Sequence, residues 1–279
     1  MNQPNYLDVP QEFPPTWASA YGQDHNGYWL EISIYQQTLC FRWIPKGKFT
    51  MGSAEDEKGR YDDEDPHVVT ISRGFWLTDT VVTQALWQAV MGENPSSFQD
   101  SAADDLPVEQ VSWQDAQAFI AKIHADYPAL SLRFPWEAEW EYACRAGTTS
   151  AFNFAGALNL EKVNYRGTWD DFSKWGEGAK QATTPVKSYP SNAWGLYAMH
   201  GNVWEWCADI WQEYLGIAVQ TDPWPSTEAA SEQLLASDSR VIRGGSWSDF
   251  GGDVRSAMRG HSSPAERGNG TGFRLVLGH

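Results

Sequence analysis

The sequence predicts an α+β fold, loop-rich, with few helices and short antiparallel strands. Three observations predict it. Strand-like alternation is concentrated in residues 28–80, and helical periodicity is confined to residues 83–147. Beyond Thr148 no helical pattern appears, and loops and short strands rich in Gly, Trp, Asn and Ser take over. Such a half must be held by buried Trp, satisfied loop backbone groups or bound ions.

Residues 1–27, rich in Pro, Gln and Asn, read as an extended arm, leaving residues 28–279 as one domain. From Tyr28, YWLEISIYQQTLCFRWI alternates as strand, with a turn near Gln36 and Gln37. GKFTMGS is a second strand, and VVTIS and GFWLTDT form another pair joined at Arg73 and Gly74. The acidic run at residues 55–66 reads as a solvated loop.

Thr83 caps the helix TQALWQAVMG, with Gly92 at its end and Pro95 beyond. Ser112 caps WQDAQAFIAKIHADY, which places Ala116, Phe119, Ile120 and Ile123 on one face and stops at Pro128. Pro135 suits the first turn of PWEAEWEYACRAG, with Trp136, Trp140, Ala143 and Cys144 on one side and Gly147 as terminator.

Composition narrows the function classes. A formal net charge of −16 opposes nucleic-acid binding, which needs clustered Lys and Arg, and opposes an anionic membrane surface. No run of 18 apolar residues exists, so no membrane insertion is expected. MNQPNYLDVPQEFPP lacks a basic start and an apolar core, and the three scattered cysteines, Cys40, Cys144 and Cys207, read as buried thiols. A cytoplasmic protein is expected. The six histidines offer no metal pair, and His67 and His200 read as structural hydrogen-bonding residues. HExxH, GxSxG, phosphate-loop and CxxC motifs are absent.

The motifs FTMGS (residues 49–53), PVEQVSWQDAQAF (107–119), FPWEAEWEYACRAG (134–147), NAWGLYAMHGNVWEWCAD (192–209), RVIRGGSW (240–247) and GFRLV (272–276) follow in order. Over roughly residues 40–276 this series resembles the formylglycine-generating-enzyme (sulfatase-modifying-factor) family, which implies a C-type lectin-like fold. The family's occupations differ: copper-dependent oxidation of a sulfatase cysteine, sulfoxide synthesis with a separate iron-binding bundle, and ligand binding by variable proteins of diversity-generating retroelements. Fold is therefore implied strongly and function weakly.

In the copper oxidases two cysteines follow the GGS[YW] motif, and soft thiolates suit Cu(I). Residues 244–260 here contain no cysteine, which removes that site and its reactive sulfur. No helical region with spaced His and Glu exists for iron, since the arm holds only His25. The family also implies calcium, here at Gly201, Val203 and Glu205, with a second site beginning at Asn164. Each has lost one hard ligand, at Ala198 and Gly178, and Glu205 has the alternative of pairing, buried, with an arginine.

The C-terminal stretch reads as a display surface. Anchors (Trp247, Val254, Arg255, Ser256, Ala257, Arg259, Pro264, Arg267, Phe273) alternate with clusters of small or polar residues. The pattern resembles that of the retroelement variable proteins, whose mutagenesis acts at template adenines. From AAC codons it reaches Ser248, Asp249, Phe250, Gly260, His261, Ser262, Gly268, Gly270 and Thr271, with Asn269 an unaltered copy; Met258 and Glu266 are outside its reach. The ligand-binding surface expected comprises these positions with Trp247, Asp253 and Ser263. Residues 240–279 carry six arginines and three acids, either a basic patch for an acidic ligand or a set of internal struts. Three functions stand open: a variable protein binding a small ligand or protein, a module for one fixed partner, and an oxidase using other residues.

Overall fold

The structure, a computed structural model, describes residues 13–99, 105–171, 173–224 and 238–278. Three helices appear among them: α1 (Gln84–Met91), α2 (Trp113–Asp126) and α3 (Glu137–Arg145). Thr83 Oγ1 accepts from Leu86 N at the start of α1, and Gly92 closes it with φ of 88°. Ser112 and Asp115 form a reciprocal capping box on α2, whose Ala116, Phe119, Ile120 and Ile123 are buried. Ala146 ends α3 in the left-handed region, one residue before the expected glycine.

The first sheet runs β1 (Ala20–Asp24), β2 (Gly27–Ile34), β3 (Gln37–Ile44), β6 (Phe75–Thr78), β13 (Val276–Leu277) and β7 (Leu132–Arg133). Residues 20–24, expected within the extended arm, thus pair with β2. The β2–β3 turn lies at Tyr35 and Gln36, both at positive φ (47° and 65°), one residue earlier than expected. That conformation costs a side-chain-bearing residue energy. Tyr127 offsets it: its Oη accepts from Tyr35 N at 3.0 Å, and the two rings pack edge to face at 5.5 Å.

A second sheet orders β4 (Gly47–Met51), β5 (His67–Ile71) and β9 (Gln220–Thr221). The expected pairing of VVTIS with GFWLTDT does not form, because β5 joins β4 while β6 joins β3 and β13. The third sheet orders β11 (Arg259–Ser262), β10 (Arg240–Arg243), β8 (Trp204–Ile210) and β12 (Thr271–Gly272), with β12 parallel to β8.

Two cores flank these sheets. One gathers Leu30, Phe41, Phe119, Phe134, Trp206 and Phe273 beneath α1 and α2. The other gathers Leu77, Trp140, Ala143, Cys144, Cys207 and Val241 around α3. Alternation along β8 feeds both, Trp206 entering the first and Cys207 the second.

The acidic run departs from its expected solvation. Glu55, Asp56 and Asp62 are exposed, but Glu64 is buried and Glu57 half-buried. Both carboxylates bind Arg255, which has no exposed surface (Glu57 at 2.7 Å, Glu64 at 2.5 Å). A buried guanidinium needs compensating carboxylates, and those close by in space lie about 190 residues away in sequence.

A candidate binding surface from the C-terminal segment

The six arginines of residues 240–279 decide between a basic patch and internal struts. Arg240, Arg243, Arg255, Arg259 and Arg274 are each at most 4% exposed. Arg243 pairs with Glu141, Arg259 with Glu137, Arg274 with Glu205 and Arg255 with Glu64, while Arg240 lies 4.2 Å over the Trp113 ring. Arg267 alone is exposed, and Asp115 holds it at 2.6 Å. The five buried ones are struts, and Arg243, Arg255, Arg259, Arg267 and Arg274 are each met by a carboxylate elsewhere in the chain.

Between the struts lie the expected contact positions. His261, Ser263, Glu266 and Asn269 are exposed; Trp247, Ser248, Phe250, Asp253, Met258, Gly260, Ser262, Gly268, Gly270 and Thr271 are half-buried. Three of these stretches meet around Trp204. Its backbone N donates to Gly270 O at 2.7 Å, and its indole N–H donates to Asp249 at 2.8 Å. Its ring lies against Gly260, where an added Cβ would come within 3.1 Å. Trp247 Nε1 donates to Asn269 O at 3.1 Å, tying the first stretch to the last.

Asp249 departs from the expectation of a displayed tip. Its carboxylate accepts from Trp204 Nε1 and from Ser246 N, both at 2.8 Å, and from Ser246 Oγ. Burial pushes its pKa up, and its work is to brace the loop. Gly260 is also constrained, because a Cβ there would stand 3.0 Å from Ile242 Cγ1; at Gly268 the nearest atom would be 3.5 Å away. Asp253 accepts from Tyr61 Oη at 3.0 Å.

Sequence reasoning missed three residues outside the C-terminal segment. Trp175 stacks on Trp247 with centroids 5.7 Å apart and planes 8° from parallel, and Phe98 meets Trp247 edge-on at 5.1 Å. The Arg166 guanidinium lies 4.6 Å from the Trp175 ring and 5.1 Å from the Phe250 ring. All are half-buried. The available signal was a lone Trp in the polar run SKWGEG, where no core pattern accounts for it. Under Phe98 sits Glu109, fully buried, with Oε1 accepting from Phe98 N at 2.8 Å and Oε2 without a hydrogen-bond partner. Burial raises its pKa to about 7.

The chemical groups nearby are unsuited to nucleophilic catalysis. Cys144 lies 3.8 Å from His200 Nε2 and 3.7 Å from Ser256 Oγ, but all three are buried. Burial pushes the thiol up to about 12 and the imidazole down to about 4, so both are neutral near pH 7. His200 Nδ1 lies 2.8 Å from Val254 O and donates to it, while Nε2 accepts from Asn153 N at 3.1 Å. His67 Nδ1 lies 2.8 Å from Asp65 O. Both histidines are hydrogen-bonded to backbone groups as expected.

Calcium is tested by Glu205. Its Oε2 accepts from Arg274 Nε at 2.6 Å and Trp140 Nε1 at 2.7 Å, and its Oε1 accepts from Arg274 Nη2 at 2.7 Å. The alternative of a buried, arginine-paired carboxylate is what the structure holds. Asn164 and Gly201 are brought together, yet Asn164 O already accepts from Asn202 N and Gly201 O from Val203 N. Asn164 Oδ1 is buried without a partner, a single neutral oxygen where calcium needs six to eight. Calcium at Glu205 would have to displace Arg274 from the carboxylate. Among the described residues no group of three or more His, Cys, Asp and Glu could hold a metal.

A loop-rich α+β scaffold with buried arginine struts defines a C-type lectin-like protein of the formylglycine-generating-enzyme type. The chain belongs to the sulfatase-modifying-factor family: the Sulfatase-modifying factor enzyme 1-like domain matches residues 36–278. It is 30% identical over 220 residues to the formylglycine-generating enzyme of Mus musculus, an alignment covering 76% of this chain and 54% of that protein. The chain thus spans about half the length of that relative. Its fold is similar to Treponema denticola variable protein 1 (TM-score 0.72, 27% identity, 89% of this chain and 98% of that one). It is also similar to PvdO from Pseudomonas aeruginosa (TM-score 0.70, 25% identity, 94% and 99%). No described helix is long and apolar enough to cross a membrane.

Proposed function

We propose that the chain from β1 onward forms a single non-catalytic binding domain whose contact surface is the C-terminal segment around Trp204, of the variable-protein type. The observation that carries this reading is the separation of roles along that segment. Five arginines are buried struts, while His261, Ser263, Glu266 and Asn269 project between them. Exposed tips on a rigid frame accept substitution cheaply, as diversification at His261 and Asn269 requires. Likeness to a variable protein supports it, and so does the lack of cysteine in residues 244–260.

The partner is a protein or small ligand meeting a half-buried aromatic rim of Trp247, Trp175, Phe98 and Phe250. Trp and Arg in this state typify the centres of protein interfaces. The test is the neighbouring DNA. A reverse transcriptase gene and an adenine-biased near-copy of the segment are expected, and their absence overturns the diversified reading. Oxygen consumption with copper and cysteine-containing peptides is expected to stay flat.

A module for one fixed partner is the second reading. It is favoured by Asp249 and Gly260, where the loop brace and the contact with Trp204 make substitution costly. Identical tips across closely related strains support it, and scattered changes support diversification.

A further inference from the structure

A cleft of about 920 Å³ is lined by residues outside the C-terminal segment, within the size range of small-molecule sites. Its walls come from the start of β3, from residues 78–83, from α1 and from residues 185–188. Its floor is Asp79, whose side chain is 5% exposed. Asp79 is fixed through its backbone, with N donating to Cys40 O at 2.9 Å and O accepting from Tyr197 N at 2.8 Å.

The chain itself shows what this floor binds. Lys187 Nζ reaches Asp79 Oδ2 at 2.7 Å and lies 5.3 Å from the Tyr197 ring centroid. A buried carboxylate beside an aromatic face is a receptor for an ammonium group. Burial works against the charge on Lys187, yet Asp79 more than offsets it and the amine's pKa lies above its ordinary value. The lysine arrives from solvent, since its side chain is 53% exposed, and among the described residues no second cation lines the cleft. Glu31 and Asp105 add two further carboxylates to the lining, while the half-buried Ala85, Ala89 and Pro185 supply an apolar wall. An anion is disfavoured there, since three carboxylates already line the cleft.

We propose that this cleft binds a small organic primary amine, whose ammonium replaces that of Lys187 on Asp79 while its hydrocarbon part lies along Ala85, Ala89 and Pro185. Lys187 is the tethered competitor that the ligand displaces. The site is independent of the C-terminal surface, so either assignment stands if the other fails.

n-Butylamine, with N-butylacetamide as its neutral counterpart, tests the site by calorimetry and by amide NMR shifts at Thr80, Val81 and Ser188. Lys187→Met removes the competitor and is expected to bind n-butylamine about tenfold or more tighter than the unaltered chain, the value of a charge-assisted hydrogen bond. Asp79→Asn in that background is expected to abolish the gain, and Glu31→Gln with Asp105→Asn to weaken binding severalfold. Lys187→Met also leaves Asp79 buried and unpaired, so n-butylamine is expected to raise its melting temperature more than that of the unaltered chain. Equal affinity in Lys187→Met and the unaltered chain overturns the proposal, as does binding of N-butylacetamide as strong as that of the amine. Shifts confined to residues outside the cleft overturn it as well. If Asp79→Asn does not fold, the Glu31→Gln, Asp105→Asn pair carries the test, and unchanged affinity there counts against the site.

Discussion

Trp204 donates its indole N–H to Asp249 at 2.8 Å, and this bond links the centre of the third sheet to the loop that follows the GGSW motif. The same carboxylate closes on Ser246 N, so one residue expected to face a ligand instead fixes the frame on which the ligand-facing residues stand. Asp249→Ala is expected to leave these donors unsatisfied and to cost about 1–3 kcal/mol in chemical denaturation. Ser248→Ala, beside it, is expected to stay within about 0.5 kcal/mol of the parent.

Gly260 and Gly268 both sit among the expected tips, but only one has room. Gly260→Val is expected to push against Ile242 and Trp204 and to cost about 1–3 kcal/mol. Gly268→Ser meets ordinary contact distances and is expected to leave the melting temperature nearly unchanged. Equal loss in both would contradict the placement of β11 against Trp204.

Arg255 and Glu64 form a pair with no exposed surface on the guanidinium. Arg255→Ala strands Glu64 and is expected to destabilise by about 3–5 kcal/mol, whereas the double change Arg255→Met, Glu64→Gln recovers part of that loss. Denaturation midpoints of the three proteins check it, and a surface pair would show almost no effect.

Glu109 makes stability depend on pH. Burial raises its pKa from 4.5 to about 7, so between those values the folded chain holds a proton that the unfolded chain releases. Its contribution is fully present below about pH 4.5 and is lost as pH rises through about 7, by about 3 kcal/mol at most. His200 acts in the opposite sense: its pKa is lowered to about 4, so its contribution is present above 6.5 and is lost as pH falls towards 4. The diagnostic quantity is therefore the difference between Glu109→Gln and the parent, expected to favour the variant progressively from pH 5 to pH 8. A pH-independent difference would count against a buried, titrating Glu109.

Chelation checks the assignment at Glu205. With Arg274 and Trp140 already on its carboxylate, removal of calcium by a chelator is expected to leave the melting temperature unchanged. A clear rise on adding calcium would show that Arg274 yields to the ion.

The sequence by itself determined the local structure and the family. Thr83 and Ser112 mark the starts of α1 and α2, because a capping oxygen beside an amphipathic run is a short-range signal. The ordered motifs up to GFRLV carry the family across residues 36–278. The missing cysteines of residues 244–260 were equally legible, since a residue type that is absent requires no geometry to detect. Which charges face inward was decided only in three dimensions. Glu57 and Glu64 looked like members of a solvated acidic run until Arg255, about 190 residues later, was placed between them. Asp249 looked like a tip until Trp204 met it, and Trp175 had no role until Trp247 stacked on it. The physical reason is common to all three. Burial of a charge or ring is set by a partner distant in the chain, and local sequence patterns carry no record of which distant segments the sheets bring together.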